Sequence, residues 1–64
     1  MKTVIYFLTY KLENGIEGSR MSEWQVDFKT DVKSHFYKWC VEQQRIVEKE
    51  QDSLLYVKSI NLIE

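Results

Sequence analysis

One short segment, Glu13–Ser19, contains both glycines of this 64-residue chain, and the chain has no proline. Within the segment, Asn14-Gly15 is the strongest local signal, because both residues tolerate the positive φ angles that tight β-hairpin turns require. A chain with one marked turn of this kind is restricted to few folds. The segment predicts a hairpin between the residues that precede it and those that follow it.

The residues before the turn alternate with the period of a β-strand. From Thr3 to Leu12, aromatic and β-branched side chains are frequent on both the even and the odd positions. Apolar residues on both faces are typical of a central strand. After the turn, Trp24, Val26 and Phe28 alternate with polar residues, which predicts a second strand with one polar face, at an edge of the sheet.

The register of this hairpin can be predicted from the pairing of apolar residues. A two-residue loop at the turn produces only one good apolar pair. One additional residue, as a bulge at Gly18 or in a three-residue loop, aligns Val4 with Val26 and Tyr6 with Trp24. We expect this second register.

From about residue 31 to residue 50 the period changes to that of an amphipathic helix. Thr30 is the expected N-cap, with Asp31 in the first turn, and the C-terminus is expected to fray because no glycine follows it. Residues 54–63 return to a β-type composition and predict a third strand. The apolar stripe of the helix consists of Val32, Phe36, Trp39, Cys40, Ile46 and Val47.

The element order β-β-α-β determines the expected topology. Short links on both sides of the helix make the third strand parallel to the second, and a right-handed crossover then places it beside the first. The predicted fold is a single small α+β domain over residues 1–64, a three-stranded antiparallel sheet of order 2-1-3 with one helix on one face. We expect one core, made of Val4, Tyr6, Trp24, Val26, Phe36, Trp39 and Val47.

His35 and Cys40 are the only histidine and the only cysteine, so a nucleophilic pair is the first catalytic arrangement to test. On a helix, residues five apart diverge by about 140°, which prevents a dyad within one chain. We expect Cys40 to be a core residue and His35 to pair with Asp31 at the rim. Two such residues do not make a zinc site, and no phosphate-binding or hydrolase motif occurs. The sequence predicts no enzyme activity, no cofactor and no metal site.

Net charge and cysteine content restrict the partners and the compartment. A net charge of −1 excludes the strongly basic field that nonspecific nucleic-acid binders use. A lone cysteine is typical of a reducing compartment, so we expect a cytoplasmic protein. The N-terminus has no signal-peptide pattern, and no apolar stretch approaches the ~20 residues of a membrane span.

Charged residues of the helix have two interpretations. They form a solvated face with salt bridges, for example between Lys38 and Glu42 and between Arg45 and Glu48. Alternatively, Lys38, Arg45 and Lys49 form a basic row that binds phosphates or an acidic partner.

Two apolar features lie outside the expected core. Tyr37 and Val41 are one helical turn apart on the side opposite the core stripe, where they could begin a contact patch. If Val4, Tyr6 and Leu8 face the helix, then Ile5 and Phe7 face away from it. One helix covers only one face of a sheet, so this second face meets water or another chain. We expect another chain.

These features together predict a small non-enzymatic binding protein. It would act by protein–protein interaction as a regulator or inhibitor, a class that includes small proteins of phages and mobile elements, and it could form a homodimer through the open sheet face. The alternative is a single-stranded nucleic-acid-binding module, with Tyr6, Phe7 or Tyr10 as stacking platforms and nearby lysines. The residues expected to bind a partner are Ile5, Phe7, Tyr37, Val41, Lys38, Arg45 and Lys49.

Overall fold

The computed structural model describes all residues, 1–64, as three strands and one helix. The strands β1 (Lys2–Leu12) and β2 (Glu17–Val26) precede the helix α1 (Val32–Gln51), and β3 (Leu55–Ile63) follows it. The sheet is antiparallel throughout and has the order β2-β1-β3. The predicted fold class, the strand order and the central position of β1 are confirmed.

The shape of the molecule is long and thin. Its principal extents are 40 × 16 × 14 Å, and its radius of gyration of 12.7 Å exceeds the value of about 11 Å expected for a compact chain of this length. Only 10 of the 64 residues are buried. A two-layer arrangement of one helix on one sheet therefore leaves much of the sheet uncovered. No helix in the structure combines the length and apolar content that a membrane span requires.

The two faces of β1 are occupied as the sequence predicts. Val4, Tyr6 and Leu8 point toward α1 and have no exposed surface. Ile5 and Phe7 point away from it and are half-buried.

The pairing with β1 also assigns the faces of β3, which the sequence left open. Leu55 and Leu62 lie opposite Leu12 and Tyr6 and therefore face the helix. Ile63 lies opposite Ile5 and faces away from the helix.

The predicted hairpin register is wrong by two residues. Val4 lies opposite Trp24, and Tyr6 lies opposite Ser22. The reason is the position of the turn: the Leu12 N–H donates to the Ile16 carbonyl at 2.7 Å, so the loop is Glu13-Asn14-Gly15, centred on Asn14 and not on Gly15 as the expected register requires. Because side chains alternate with period two, a shift of two residues leaves every side chain on its predicted face.

Gly18 does not form the predicted bulge. The β1–β2 register is continuous, and Gly18 pairs with Tyr10, whose phenol ring occupies the space that a Cβ atom would need. The strand β2 begins at Glu17, before the alternation of Trp24, Val26 and Phe28 that predicted it, and it ends at Val26, so Phe28 lies in the following loop. The irregularity of the sheet lies instead in β3, where Ser59 faces Thr9 and Val57 faces Tyr10, leaving Lys58 without an opposite residue.

Both ends of α1 are capped differently from the prediction. Asp31, not Thr30, is the N-cap, and its carboxylate accepts hydrogen bonds from the Ser34 N–H at 3.3 Å and the Ser34 hydroxyl at 3.0 Å. At the C-terminus, Asp52 adopts the left-handed conformation (φ 48°, ψ 47°) that glycine usually supplies, and its N–H donates to the Glu48 carbonyl. The helix therefore has a defined end despite the absence of a glycine.

The apolar interior forms two clusters instead of the single core predicted. In the smaller one, Val47 contacts Leu12 and Leu55. Gln43 accepts a hydrogen bond from Arg20 at 2.9 Å and occupies the inward helix position between Trp39 and Val47, so a polar pair separates the clusters. Trp24 and Ile46, also predicted to be buried, are 38% and 42% exposed. The larger cluster contains Val4, Tyr6, Leu8, Val26, Val32, Phe36 and Trp39.

Candidate protein interface

Near one end, the sheet face opposite α1 presents four apolar side chains in two adjacent rows, and Tyr56 lies on the same face toward the other end. Ile5 lies opposite Ile63, and Phe7 lies opposite Met21. Met21 is 61% exposed and Ile63 is 44% exposed. Ile5 and Phe7 are half-buried because a strand lies on each side of them, although no element covers them. We call these four residues the open-face patch.

The open-face patch is bordered by polar side chains. Thr9 and Ser59 share a hydrogen bond in the next row, and Gln25 donates to Thr3 at 2.7 Å at the far end. Asn61 and Glu23 complete the border in the register of the sheet. An apolar centre with a polar rim is the common anatomy of protein–protein interfaces.

Charges on the open face are balanced. Lys58 donates to Glu17 at 2.9 Å across β1, and this hydrogen bond lowers the pKa of the Glu17 carboxyl. Lys11 and Glu23 are the other charged residues whose register places them on this face. Two cations and two anions give the face no net charge, so it neither attracts nor repels a partner of one sign at long range.

Tyr37 and Val41 are 56% and 48% exposed, as the sequence predicts. On the helix they lie about 120° and 160° from the centre of the buried stripe of Val32, Phe36, Trp39 and Val47. Glu48, near the C-terminal end of α1, accepts a hydrogen bond from the Leu55 N–H at the start of β3 at 2.9 Å. At 100° per residue, Tyr37, Val41 and Glu48 fall within about 40° of one another.

The basic row of Lys38, Arg45 and Lys49 lies exposed on α1. It is therefore on the helix side of the sheet, whereas the open-face patch is on the opposite side. The helix salt bridges predicted for Lys38 and Arg45 do not form. The ion pairs of the structure are instead Lys58–Glu17 and a pair between Lys2 and Glu64 at 3.0 Å. The residues expected to bind a partner therefore belong to three separate surfaces.

His35 does not pair with Asp31 as predicted. Its Nδ1 atom lies 2.7 Å from the Tyr6 hydroxyl, and its ring packs edge-on against Trp24 with the centroids 5.0 Å apart. The Asp31 carboxylate is already engaged as the helix N-cap. His35 thus stabilises the contact between α1 and the sheet on the β2 side.

Cys40 is half-buried against the larger core cluster. Burial raises the pKa of its thiol, which disfavours the nucleophilic thiolate. No group of three His, Cys, Asp or Glu side chains is arranged to hold a metal ion. A cavity of about 120 Å³ beside His35, lined by Trp24, Lys38, Trp39 and Glu42, has room for only a few water molecules.

Met21 and Ile63 belong to the open-face patch but are missing from the residues predicted to bind a partner. Met21 was missed because the wrong register placed Glu23, and not Met21, opposite Phe7. The signal that could have identified it is the turn itself, because a three-residue loop centred on Asn14 places Met21 opposite Phe7. Ile63 was missed because the strand β3 has apolar residues on both faces, so its sequence does not show which face points toward the helix.

Comparison with family models, with curated proteins and with solved structures finds no match for this chain. Its function must therefore be inferred from its own surfaces, of which the open-face patch is centred on β1, the strand that is hydrogen-bonded on both sides.

Proposed function

We propose that this chain is a small non-enzymatic protein that acts by docking on another protein through the open-face patch. One observation carries the proposal: the central strand has apolar residues, Ile5 and Phe7, on the face that no other element covers. In a strand that is paired on both sides, a face that is exposed to solvent needs no apolar side chains, and only the face that packs on the core does. The second apolar face favours a contact with another molecule.

The geometry of the patch suits binding. Ile5 and Phe7 are held by hydrogen-bonded neighbours on both sides, so little conformational entropy is lost when a partner covers them. Completing the burial of side chains such as Phe7 and Met21 contributes up to about 1.5–3 kcal/mol each. A few such residues at the centre of a polar rim supply most of the affinity of an ordinary interface.

The balanced charge of the open face favours a partner with an apolar surface over a strongly charged one. We infer a regulator or inhibitor of another protein in the cytoplasm, a reducing compartment in which a single free thiol is normal.

The nucleic-acid alternative has less support. Of the three aromatic residues considered as stacking platforms, Tyr6 is fully buried and Tyr10 faces the helix side of the sheet. Phe7 and Tyr56, which lies opposite Lys11, are the aromatic residues of the open face, whereas single-strand binding normally uses several stacked rings along a basic groove and this face has no net charge. A labelled oligonucleotide that bound at low salt, with an affinity falling steeply as salt increased, would favour this alternative over protein docking.

The experiment that tests protein docking compares two charge substitutions of phenylalanine. Phe7→Glu places a carboxylate at the centre of the open-face patch, and Phe28→Glu places one on the loop after β2, where Phe28 is 73% exposed. Wild type and both variants, each first shown to be folded by circular dichroism, are used as bait in lysate from the native host. We expect a protein that is retained by wild type and Phe28→Glu, is lost with Phe7→Glu, and binds with the same pattern when purified. A partner that Phe7→Glu still retains, or the absence of any partner, contradicts docking through this face.

A further inference from the structure

The small cavity beside His35 lies between α1 and the edge strand β2. Its volume is about 120 Å³, and its lining consists of Trp24, His35, Lys38, Trp39 and Glu42. We call it the edge cavity. The volume that a few water molecules fill is also that of a small organic molecule. A cavity of about 150 Å³ accepts a benzene ring, so the edge cavity has room for a compact ligand of about six non-hydrogen atoms.

Aromatic rings form the walls of the edge cavity and are held in place by their own contacts. Trp39 donates its indole N–H to the Ser22 hydroxyl at 3.1 Å. The rings of Trp24 and His35 pack edge to face with their centroids 5.0 Å apart. Trp24 is still 38% exposed, so part of its indole is free to contact a ligand. An indole face attracts an ammonium group within about 6 Å of the ring centroid, so these fixed walls suit a cationic group.

Lys38 and Glu42 line the same cavity with opposite charges. They are one helical turn apart, but neither belongs to an ion pair of the structure. A lysine that precedes a glutamate by four residues is in the less favourable orientation for a helix ion pair. The ammonium group of Lys38 and the carboxylate of Glu42 are therefore both available to a ligand.

His35 adds a hydrogen-bond donor to the cavity. Its Nδ1 atom lies 2.7 Å from the Tyr6 hydroxyl, and burial raises the pKa of this phenol, so the hydroxyl keeps its proton. A neutral imidazole that accepts a hydrogen bond at Nδ1 carries its own proton at Nε2. The Nε2–H group has no partner within the chain, so it is free to donate to an anionic group beside Lys38.

We propose that the edge cavity binds a small α-amino acid as a zwitterion. The ligand's ammonium group lies between the Trp24 indole and the Glu42 carboxylate. Its carboxylate accepts hydrogen bonds from the Lys38 ammonium and the His35 Nε2–H. A ligand with only a positive or only a negative charge would lie beside a side chain of its own sign, whereas a zwitterion pairs with both.

The volume of the cavity limits the size of the amino acid. Alanine has six non-hydrogen atoms and fits, whereas an aromatic amino acid is about twice as large and does not. The edge cavity lies on the helix side of the sheet and the open-face patch on the other side, so this inference does not rest on the proposed function.

Titration with L-alanine, followed by NMR of the indole N–H signals, tests the site. The chain has two tryptophans, and both line the edge cavity, so both signals report binding. Lys38 and Glu42 are exposed, and exposed ion pairs are weak, so we expect a dissociation constant in the millimolar range. Isobutyrate and alaninamide match the size of alanine but carry only the negative or only the positive charge. Each should bind at least ~10-fold more weakly than alanine.

Two variants assign the contacts of the ligand. Lys38→Gln should weaken the binding of alanine but not of alaninamide, which has no carboxylate. Glu42→Gln should weaken the binding of alanine but not of isobutyrate, which has no ammonium group. Arg45→Gln and Glu50→Gln remove exposed charges of α1 that do not line the cavity, so they are the matched controls and should bind alanine as wild type does.

Four results would overturn the proposal. The first is the absence of a saturable shift of either indole signal with alanine. The second is equal binding of alanine, isobutyrate and alaninamide, and the third is wild-type affinity for alanine in either Lys38→Gln or Glu42→Gln. Glucose, a neutral polyol that stacks on exposed indoles, supplies the fourth: tighter binding of glucose than of alanine would assign the cavity to a sugar.

Discussion

The two faces of β1 have similar composition but different surroundings. Tyr6, on the face covered by α1, has its ring centroid 5.0 Å from that of Phe36 and 5.6 Å from that of Trp39. Phe7, its neighbour in sequence, has no aromatic contact and points away from the helix. The strand pattern thus predicts two apolar faces, and the packing of α1 on one of them makes that face part of the core. Substitutions on the two faces should therefore have different consequences for folding and for binding.

The largest expected effect is on the covered face. Trp39 is 4% exposed, stacks with Phe36 and donates its indole N–H to the Ser22 hydroxyl at 3.1 Å. Trp39→Ala should cost about 3–5 kcal/mol, which is most of the stability of a small domain. Urea denaturation followed by circular dichroism measures the loss. We expect the variant to be largely unfolded even without urea.

Phe7→Ala is the matched truncation on the open face. It removes a half-buried ring that no element covers, so we expect a cost of about 1 kcal/mol and a cooperative unfolding transition. Equal losses for Phe7→Ala and Trp39→Ala would contradict the distinction between the faces and would make Phe7 a core residue.

Much of the fold could be predicted from the sequence because its strongest signals are local. The Asn14-Gly15 turn, the change of period after Phe28 and the double apolar pattern of β1 suffice for the element order and for the central strand. The register could not be derived, because pairing Val4 with Val26 and pairing Val4 with Trp24 place the same residues on the same faces. Loop hydrogen bonds and the contact between Gly18 and Tyr10 distinguish them, and these depend on the folded chain.

The candidate site was predictable only in its centre. Ile5 and Phe7 follow from the alternation on one strand, whereas Met21 and Ile63 require the pairing of β1 with both neighbours. The partner of His35 also depends on tertiary structure. Asp31 is one helical turn away in sequence, but the N-cap role occupies its carboxylate and Tyr6 reaches His35 from the sheet.

A smaller effect is expected from one hydroxyl group within the covered face. Tyr6→Phe keeps the ring but removes the 2.7 Å hydrogen bond to His35 Nδ1, so we expect a loss of about 1 kcal/mol in the free energy of unfolding. Burial raises the pKa of the Tyr6 phenol, so it stays protonated at neutral pH and available as the donor. Tyr10→Phe, in a half-buried ring near the smaller cluster, is the control and should cost less. Equal losses would mean that the hydroxyl of Tyr6 contributes no specific contact between helix and sheet.

The smallest effect concerns the N-terminus of the helix that covers this face, and it depends on pH. Hydrogen bonds from the Ser34 N–H and hydroxyl lower the pKa of the Asp31 carboxyl. Because the pKa of Asp31 is lower in the folded state than in the unfolded chain, its contribution to stability is present above the unfolded pKa and is lost as pH falls through the folded pKa.

Asp31→Asn keeps an acceptor for the Ser34 N–H but does not titrate, so its melting temperature should lie close to that of wild type at neutral pH and fall less on acidification. Asp31→Ala should be less stable at neutral pH and show the same reduced acid dependence. Glu17, whose pKa is also lowered, leaves a residual acid dependence in both variants, which adding Glu17→Gln should remove. Melting temperatures at neutral and acidic pH measure all three, and an Asp31→Asn variant that loses as much as wild type on acidification would show that the cap does not require a charged carboxylate.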